Sequence, residues 1–191
     1  LHQKNKPVWF DEAPRAIPPR PSEEGIAEGK GPRRPDEIYH FLLPDPGMAH
    51  YTDKVAKGLY PTEFEQLKQW RRSFTAKLES HEVARLQQLS QKVDELWAEH
   101  VTMLIRDRER TEDPLAIWPQ SETLGSWKPG LTRADKEAIR KQGLLNEDGD
   151  LATPYRRLKL VMDYWCGLWF WPITEAARLP SREQWWMEIG A

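Results

Sequence analysis

Hydrophobic and polar positions in the middle of the chain follow a helical period. From Pro61 onward, apolar residues recur every three or four positions, the spacing of one face of an α-helix. They are Phe64, Leu67, Trp70, Phe74 and Leu78. Proline suits the first turn of a helix, where its missing N–H has no partner to lose. The pattern therefore predicts a helix that begins at Pro61.

A second, longer helix is predicted after Ser80, whose hydroxyl can cap the first turn. Its apolar stripe has alternating steps of three and four residues, the a/d pattern of packed helices: Leu86, Leu89, Val93, Leu96, His100 and Met103. A helix reaching about Arg110 would be about 45 Å long at ~1.5 Å per residue. We expect residues 61–112 to form an antiparallel αα-hairpin packed on a larger body. We expect His100, on its seam, to be a hydrogen-bonded core histidine.

Two short segments have the character of β-strands. IYHFLL, residues 38–43, is apolar and β-prone, and PDPG at 44–47 ends it with a turn. We interpret residues 36–60 as this strand and turn region; a lone strand needs a pairing partner. LLNEDGDLA, residues 144–152, predicts a small β-ribbon around Asp148-Gly149.

The remaining segments are a Pro-rich arm, a linker and a C-terminal helical part. Residues 1–35 are too rich in proline for a helix or an inner strand, so they predict an extended arm. Residues 113–131 read as an irregular linker. Residues 132–191 predict a short helix capped by Thr132, then the ribbon, then an aromatic helix from Pro154 that Pro172 interrupts. A last helix begins at Ser181, with Gln184 three residues on, as in a capping box.

The aromatic helix contains MDYWCGLWFWP, residues 162–172. Its apolar run is about fourteen residues, and a membrane span needs about twenty. A helix that is apolar all round is normally buried on all sides. We therefore expect core, with an inert buried thiol at Cys166, rather than a reactive one. A base-stacking surface is the alternative, because basic residues precede the aromatic ones.

Composition narrows the functional classes. Charged residues make up 30% of the 191 residues and the net charge is -2, which argues against a wholly basic nucleic-acid module. Local basic patches stay possible, and the candidate nucleic-acid contacts are Arg71, Arg72, Arg156, Arg157 and Lys159. A solvated helix end is the competing interpretation for the last three.

The chain carries no complete catalytic, cofactor or metal motif. EEGIAEGKG, residues 23–31, has the wrong glycine spacing for a phosphate loop. The five histidines are scattered and a zinc site is unsupported. His50 beside Tyr51 and Asp53 is only a weak candidate site. A single cysteine and the lack of a signal peptide at the start indicate a reducing cytoplasm. The chain starts with Leu and stops at IGA, so we expect a piece of a longer product; a small processed or tag-trimmed protein is the alternative.

Taken together, these patterns predict a mainly α fold. It comprises the long antiparallel αα-hairpin and an aromatic-rich C-terminal helical part, with minor β-strands and the Pro-rich N-terminal arm.

Three stretches resemble very large bacterial DNA adenine methyltransferases, the type IIG restriction-like enzymes that include those of phage-defence islands. They are IYHFLLPDPGMAHYTDKVAKGLYP (38–61), RDRERTEDPL (106–115) and TPYRRLKLVMDYWCGLWFWPI (153–173). The resemblance runs from about residue 35 to the end, and the aromatic block is its most specific element.

The resemblance implies a parent enzyme that transfers a methyl group from S-adenosylmethionine to the N6 amine of adenine in DNA. Such enzymes flip the target base out of the duplex. Their Gly-containing cofactor loop and their Asn-Pro-Pro-aromatic motif are not in this chain. LPDPGM, residues 43–48, lacks paired prolines and a following aromatic residue. The resemblance thus implies a non-catalytic segment that holds no cofactor, metal or catalytic residue and scaffolds the methylase core or helps to grip DNA.

Two other functions compete with this interpretation. One is a stand-alone helical adaptor whose hairpin binds a partner protein. The other is a small DNA-binding module that uses the five basic residues. We expect no membrane partner. If the chain is a methyltransferase segment, its expected partners are the remainder of that polypeptide and, through the parent enzyme, DNA.

Overall fold

The computed structural model describes residue 17 and residues 32–112, 131–142 and 153–190. Within these ranges the chain is mainly helical and contains no β-strand. The α-helices are α1 (Lys54–Leu59), α2 (Pro61–Phe74), α3 (Ser80–Thr111), α4 (Arg133–Gln142), α5 (Pro154–Trp169) and α6 (Arg182–Gly190), and the 3₁₀ segments are η1 (His40–Leu42) and η2 (Ile173–Arg178). The mainly α class is thereby confirmed.

The helix boundaries follow the local signals in the sequence. Pro61 occupies the first turn of α2, as predicted. At α4, the Thr132 hydroxyl accepts a hydrogen bond from the Asp135 N–H at 3.2 Å, while the Asp135 carboxylate accepts one from the Thr132 N–H at 3.0 Å. The Ser181 hydroxyl likewise accepts from the Gln184 N–H at 3.1 Å. These caps satisfy N–H groups that a helix start otherwise leaves unpaired.

The predicted strand at 38–43 is wrong. Its centre is the 3₁₀ segment η1, and PDPG forms a turn in which the Met48 N–H donates to the Asp45 carbonyl. The reason is that the backbone carbonyls of this segment have hydrogen-bond partners other than a neighbouring strand. The carbonyls of Leu42 and Leu43 accept hydrogen bonds from the indole N–H groups of Trp186 and Trp165. Two tryptophans thus take the place of a neighbouring strand.

The chain divides into two compact units. Unit one comprises residues 1–93 and 160–191, and unit two comprises residues 94–159. In unit one, α2 lies against η2. Ala49, Leu67 and Ala176 form a buried cluster there, edged by Tyr51, Trp70 and Trp171 among others. Further buried side chains of unit one are Leu42, Met48, Phe74, Leu86, Leu168 and Trp185.

The predicted hairpin is only partly present. Residues 75–79 connect α2 to α3, and the predicted seam does face inward: Leu86, Leu89 and Val93 are buried in unit one. Contacts of this part of α3, however, include the last helix. The side chain of Lys92 donates to the Gly190 carbonyl at 2.6 Å, and Arg85 donates to the Trp186 carbonyl at 3.5 Å. Helix α6 therefore shares the role of partner that the sequence pattern assigned to α2.

Unit two contains a small aromatic stack. The His100 ring is buried and stacks on the Tyr155 ring at 5.5 Å between centroids, with the Trp97 ring at the same distance. Its Nδ1 is buried and has no hydrogen-bond partner in the described part of the chain. The prediction that His100 lies in the core is confirmed. The predicted hydrogen bond of its ring is not found at Nδ1.

Several predicted segments lie outside the described residues. These are the arm over residues 1–31 apart from Ile17, the linker over 113–130, and the β-ribbon at 144–152.

Candidate functional site: the outer face of the aromatic helix

The two ends of helix α5 are set by residues next to them in the sequence. The Thr153 carbonyl accepts the first helical hydrogen bond from the Arg157 N–H, and the Thr153 hydroxyl lies 3.4 Å from the Arg156 N–H. Pro154 follows as the first helical residue. At the other end, the helix stops at Trp169, before Pro172, which lacks the N–H that a continuing helix needs.

The inner face of α5 in unit one is covered by residues 40–47. Leu168 is fully buried, and the Trp165 indole donates to the Leu43 carbonyl at 3.1 Å. The Trp169 ring lies directly on Gly47: a β-carbon added there would come within 2.4 Å of Cζ3 of that ring. Both rings are half-buried, and their burial favours folding on this side, since an aromatic side chain can bury about 150–250 Å².

The outer face of α5 in unit one is exposed, and it is apolar apart from the carboxylate at position 163. Phe170, just after the helix, is 81% exposed. Leu160 and Met162 are also exposed, as are Cys166 and Gly167 between them and Phe170. A β-carbon at Gly167 would meet nothing within 4 Å. We call the surface formed by Leu160, Met162, Cys166, Gly167 and Phe170 the outer apolar face.

This face corrects two predictions. The aromatic helix is not buried on all sides, and the Cys166 thiol is exposed rather than buried. The physical reason is that in unit one residues 40–47 lie against Trp165 and Trp169, whereas Cys166 and Gly167 stay in solvent. Small residues at 166 and 167 and a charge at 163 mark the uncovered side. The positions of these three residues on one side of the helix could be seen in the sequence. The prediction of a fully buried helix rested on the total number of apolar residues instead.

A polar link borders the outer apolar face. The Tyr164 hydroxyl donates to the Glu188 carboxylate at 2.5 Å, and Glu188 also accepts from Gln184. Burial, and then the hydrogen bond to Glu188, raise the pKa of the Tyr164 hydroxyl, whereas the hydrogen bond from Tyr164 lowers the pKa of Glu188. At neutral pH the Tyr164 hydroxyl is therefore protonated and the Glu188 carboxylate is ionised. Their hydrogen bond joins α5 to α6.

Of the predicted nucleic-acid contacts in unit one, Arg71 has a structural role. Its guanidinium donates to the carbonyl of Ala49, a buried residue with a φ of 46°. Few non-glycine residues adopt that backbone conformation. Burial lowers the pKa of Arg71. Its neighbour Arg72 is exposed, so solvent reaches that side chain.

The other three predicted contacts lie in unit two, on the first turns of α5. Arg156 is half-buried, and Arg157 and Lys159 are exposed. Each of them interacts with other groups of the protein. Each unit thus holds only part of the predicted set, and four of its five members are engaged within the protein.

The described residues offer no constellation for catalysis or metal binding. No group of three or more His, Cys, Asp or Glu side chains is arranged there to hold a metal ion. Around the weak candidate His50, the Tyr51 hydroxyl donates to the Trp171 carbonyl, and the Asp53 carboxylate accepts from the Ala56 N–H at 2.6 Å. Both neighbours of His50 thus have structural partners.

Sequence reasoning missed the residues that hold the aromatic helix. Gly47 and the carbonyl of Leu43 contact this helix, through Trp169 and Trp165 respectively. The glycine of PDPG was visible as a turn residue, but its contact with Trp169 is long-range and has no local signal. None of the helices in the described ranges combines the length and the apolarity that a membrane crossing requires. Comparisons of the chain with protein-family models, with curated proteins and with solved structures found no match.

Proposed function

We propose that this chain is a non-catalytic segment of an S-adenosylmethionine-dependent DNA adenine methyltransferase of a restriction-modification or phage-defence system. In this proposal it scaffolds the methylase core or aids the grip on DNA. The segment itself holds no cofactor; S-adenosylmethionine binds elsewhere in the parent enzyme, and DNA is a partner through that enzyme.

The observation that carries the proposal is the aromatic stretch 153–173. It is the most specific part of the resemblance to these methyltransferases. In the folded chain it becomes α5, whose inner face packs on residues 40–47 and whose outer face is apolar and exposed. The stretch at 38–61, also part of the resemblance, supplies that inner packing. Two of the three resembling stretches therefore form one structural feature.

Exposure of the outer apolar face supports a scaffolding role. This face exposes the apolar side chains of Phe170, Leu160 and Met162. Soluble monomeric proteins rarely expose several apolar side chains together, and such surfaces often mark an interface. Burial of apolar area stabilises an interface by roughly 25 cal/mol per Å². Another part of the same polypeptide, placed against this face, would supply the missing cover.

The first test is to read the encoding frame outward from both ends of the chain. The proposal expects an uninterrupted frame with a Gly-containing cofactor loop and an Asn-Pro-Pro-aromatic motif. A start codon directly before Leu1 and a stop codon directly after Ala191 would contradict it.

The second test measures N6-methyladenine in DNA incubated with S-adenosylmethionine. The chain alone is expected to transfer no methyl group, and the whole product of the frame is expected to methylate. In the whole product, Phe170→Asp should lower methylation, because a carboxylate would have to be buried at the covered face. Thr174→Asp adds the same charge at a nearby exposed polar position and is the matched control. Methylation by the chain alone, or none by the whole product, would refute the proposal.

The second candidate function is a stand-alone helical adaptor that binds a partner protein. It is favoured by a different surface: Trp97, Leu104 and Ile105 on α3 in unit two are exposed. Single exposed apolar residues are common on soluble proteins, so this observation is weaker than the outer apolar face. A complete frame limited to residues 1–191, together with a cooperatively folding chain that does not bind DNA at low salt, would favour the adaptor.

A further inference from the structure

Helix α3 carries a second apolar stripe within unit two, apart from the seam that the sequence predicts. Trp97 is 49%, Leu104 is 44% and Ile105 is 53% exposed, and Val101 is half-buried. At about 100° per residue, these four side chains and Arg108 fall within an arc of roughly 100°. The steps from Trp97 through Val101 and Leu104 to Arg108 follow the spacing of packed helices. We call these five residues the outer stripe of α3.

The rest of α3 in unit two is either covered or polar. On the seam side, His100 is buried and its ring contacts those of Trp97 and Tyr155, each at 5.5 Å between centroids. The positions away from both the seam and the outer stripe are exposed and polar: Glu95, Glu99, Thr102, Arg106 and Arg110. The outer stripe is therefore an apolar band between polar and covered sides, as a helix presents to a neighbouring helix.

Arg108 ends the outer stripe with a cation. Its side chain is exposed and forms no ion pair or side-chain hydrogen bond within the described ranges. A guanidinium binds favourably over the face of an indole ring, and the half-exposed Trp97 lies at the other end of the stripe. The two residues are about 17 Å apart along the helix axis at ~1.5 Å per residue, so Arg108 does not reach the Trp97 ring of its own chain. A second copy running in the opposite direction brings the two ends together.

We propose that the outer stripes of two copies of this chain pack antiparallel and form a symmetric dimer. Val101 of each copy packs against Leu104 of the other, and Arg108 of each copy lies over the Trp97 ring of the other. The same surface meets itself, so the contact is isologous and closes at two copies. The inference uses only unit two and does not depend on the proposed methyltransferase function.

Charge decides between the two directions of pairing. In a parallel pair, each residue faces its own copy, so the two Arg108 guanidiniums would repel each other. The antiparallel pair separates them. Asp94, one turn before Trp97, already interacts within its own chain, and the pairing does not use it. A contact of about three helical turns is smaller than the interfaces of stable complexes, so the dimer is weak and reversible.

The test is sedimentation velocity of the chain over an about hundredfold concentration range. The mean mass should rise with concentration and level off at the mass of two chains. Leu104→Glu should leave the chain monomeric, because a carboxylate on the outer stripe would have to be buried. Thr102→Glu adds the same charge at an exposed position outside the stripe and should dimerise like the natural chain. Circular dichroism verifies the fold of each variant.

A second pair of variants tests the contact between Arg108 and Trp97. Arg108→Glu should raise the dissociation constant about tenfold, since the negative face of the indole ring attracts a cation and repels a carboxylate. Arg106→Glu makes the same change of charge at an exposed position on the opposite side of α3 and should leave the dissociation constant unchanged.

Spin labels measure the direction of pairing. A label is attached at Glu109→Cys, an exposed position outside the stripe, in a Cys166→Ser background that removes the natural thiol. The antiparallel pair places the two labelled positions about 20 Å apart along the helix axis at ~1.5 Å per residue, whereas a parallel pair places them level. Pulsed electron paramagnetic resonance gives the distance.

Each of four results would overturn the proposal. They are a natural chain that stays monomeric throughout, a Leu104→Glu variant that dimerises as well as the natural chain, a loss of dimerisation in either control, and labels that lie level. Phe170→Asp, on the outer apolar face of unit one, should leave dimerisation unchanged. Its loss in that variant would assign the association to that face and also overturn the proposal.

Discussion

Arg182 and Glu82 form a two-pronged ion pair that fastens the start of α6 to the start of α3. The Nε and Nη2 atoms of Arg182 each donate to a different carboxylate oxygen of Glu82, both at 2.7 Å. The two side chains are only 12% and 13% exposed. The remaining nitrogen, Nη1, donates to the carbonyls of Phe74 and Ala76. One side chain therefore joins the end of α2, the connecting turn and α3.

Removal of this guanidinium should be costly. We expect Arg182→Ala to lower the free energy of unfolding by about 3–5 kcal/mol, since it leaves the Glu82 carboxylate buried without its partner. Urea unfolding followed by far-UV circular dichroism measures the change. The matched control is Arg178→Ala: Arg178 pairs with Glu175 at 3.1 Å but is largely exposed, so its loss should cost less than about 1 kcal/mol. Equal losses in both variants would contradict the central role of Arg182.

Gly47 is expected to tolerate no side chain. In Gly47→Ala, the new methyl group would lie 2.4 Å from Cζ3 of Trp169, so the ring or the turn must shift. Overpacking of this kind costs about 1–3 kcal/mol. Thermal unfolding and tryptophan fluorescence should both report the change. Gly58→Ala is the control, because that site is open and helical; there alanine should stabilise by up to about 1 kcal/mol. The contact would be disproved if Gly47→Ala were as stable as the natural chain.

Much of the helical framework could be predicted from local signals. Pro61, Thr132, Pro154 and Ser181 lie at or just before the starts of helices, because a cap or an N-terminal proline acts within one turn of its own position. The segment 38–43 could not be predicted in this way. Its β-propensity is local, but its conformation depends on indoles more than 120 residues away. Propensity is a weak prior when tertiary contacts of that kind are available.

The candidate site was predicted less well than the fold, for a related reason. Total apolarity told us that α5 needs cover, and Leu168 confirms it on one side. The apolarity of the helix could not show that the Cys166 side stays exposed, because burial depends on which other segments pack against the helix. Arg71 illustrates the same limit. Its charge suggested a phosphate contact, whereas the Ala49 carbonyl that it binds is 22 residues earlier in the chain.

The buried ring of His100 should make stability depend on pH. Burial lowers its pKa in the folded chain below the ordinary 6.5. The unfolded chain thus binds this proton more readily, so the stability due to the neutral ring is fully present above about 6.5 and declines as the pH falls through and below that value. Urea unfolding between about pH 7.5 and pH 5 measures the slope. His100→Phe removes the titrating ring and should therefore reduce the slope. A slope unaffected by His100→Phe would exclude His100 as its source.

The thiol of Cys166 should react readily in the folded chain. It lies on the outer apolar face, in solvent, so labelling by a maleimide should need no unfolding and should proceed at a similar rate with and without urea. In the whole product of the frame, the proposed scaffolding role predicts slower labelling, because other parts of the polypeptide cover the same face. Mass spectrometry of the labelled peptide measures both rates. Protection already in the isolated chain would contradict the exposed outer face, and equal rates in chain and whole product would contradict its coverage.

The adjacent residues Arg71 and Arg72 allow stability to be separated from DNA contact. Arg71→Ala should destabilise the chain by about 1.5–3 kcal/mol, because the buried Ala49 carbonyl loses a charged hydrogen-bond donor. Arg72→Ala should change stability by less than about 0.5 kcal/mol, since Arg72 is exposed. If DNA binding by the whole product involves this region, only Arg72→Ala should reduce the salt dependence of binding while the fold stays intact, by about 0.9 in log–log slope for one phosphate contact. Urea unfolding and fluorescence anisotropy with a labelled duplex measure the two effects. A destabilised Arg72 variant, or an Arg71 variant that keeps full stability, would reverse the assignment of the two arginines.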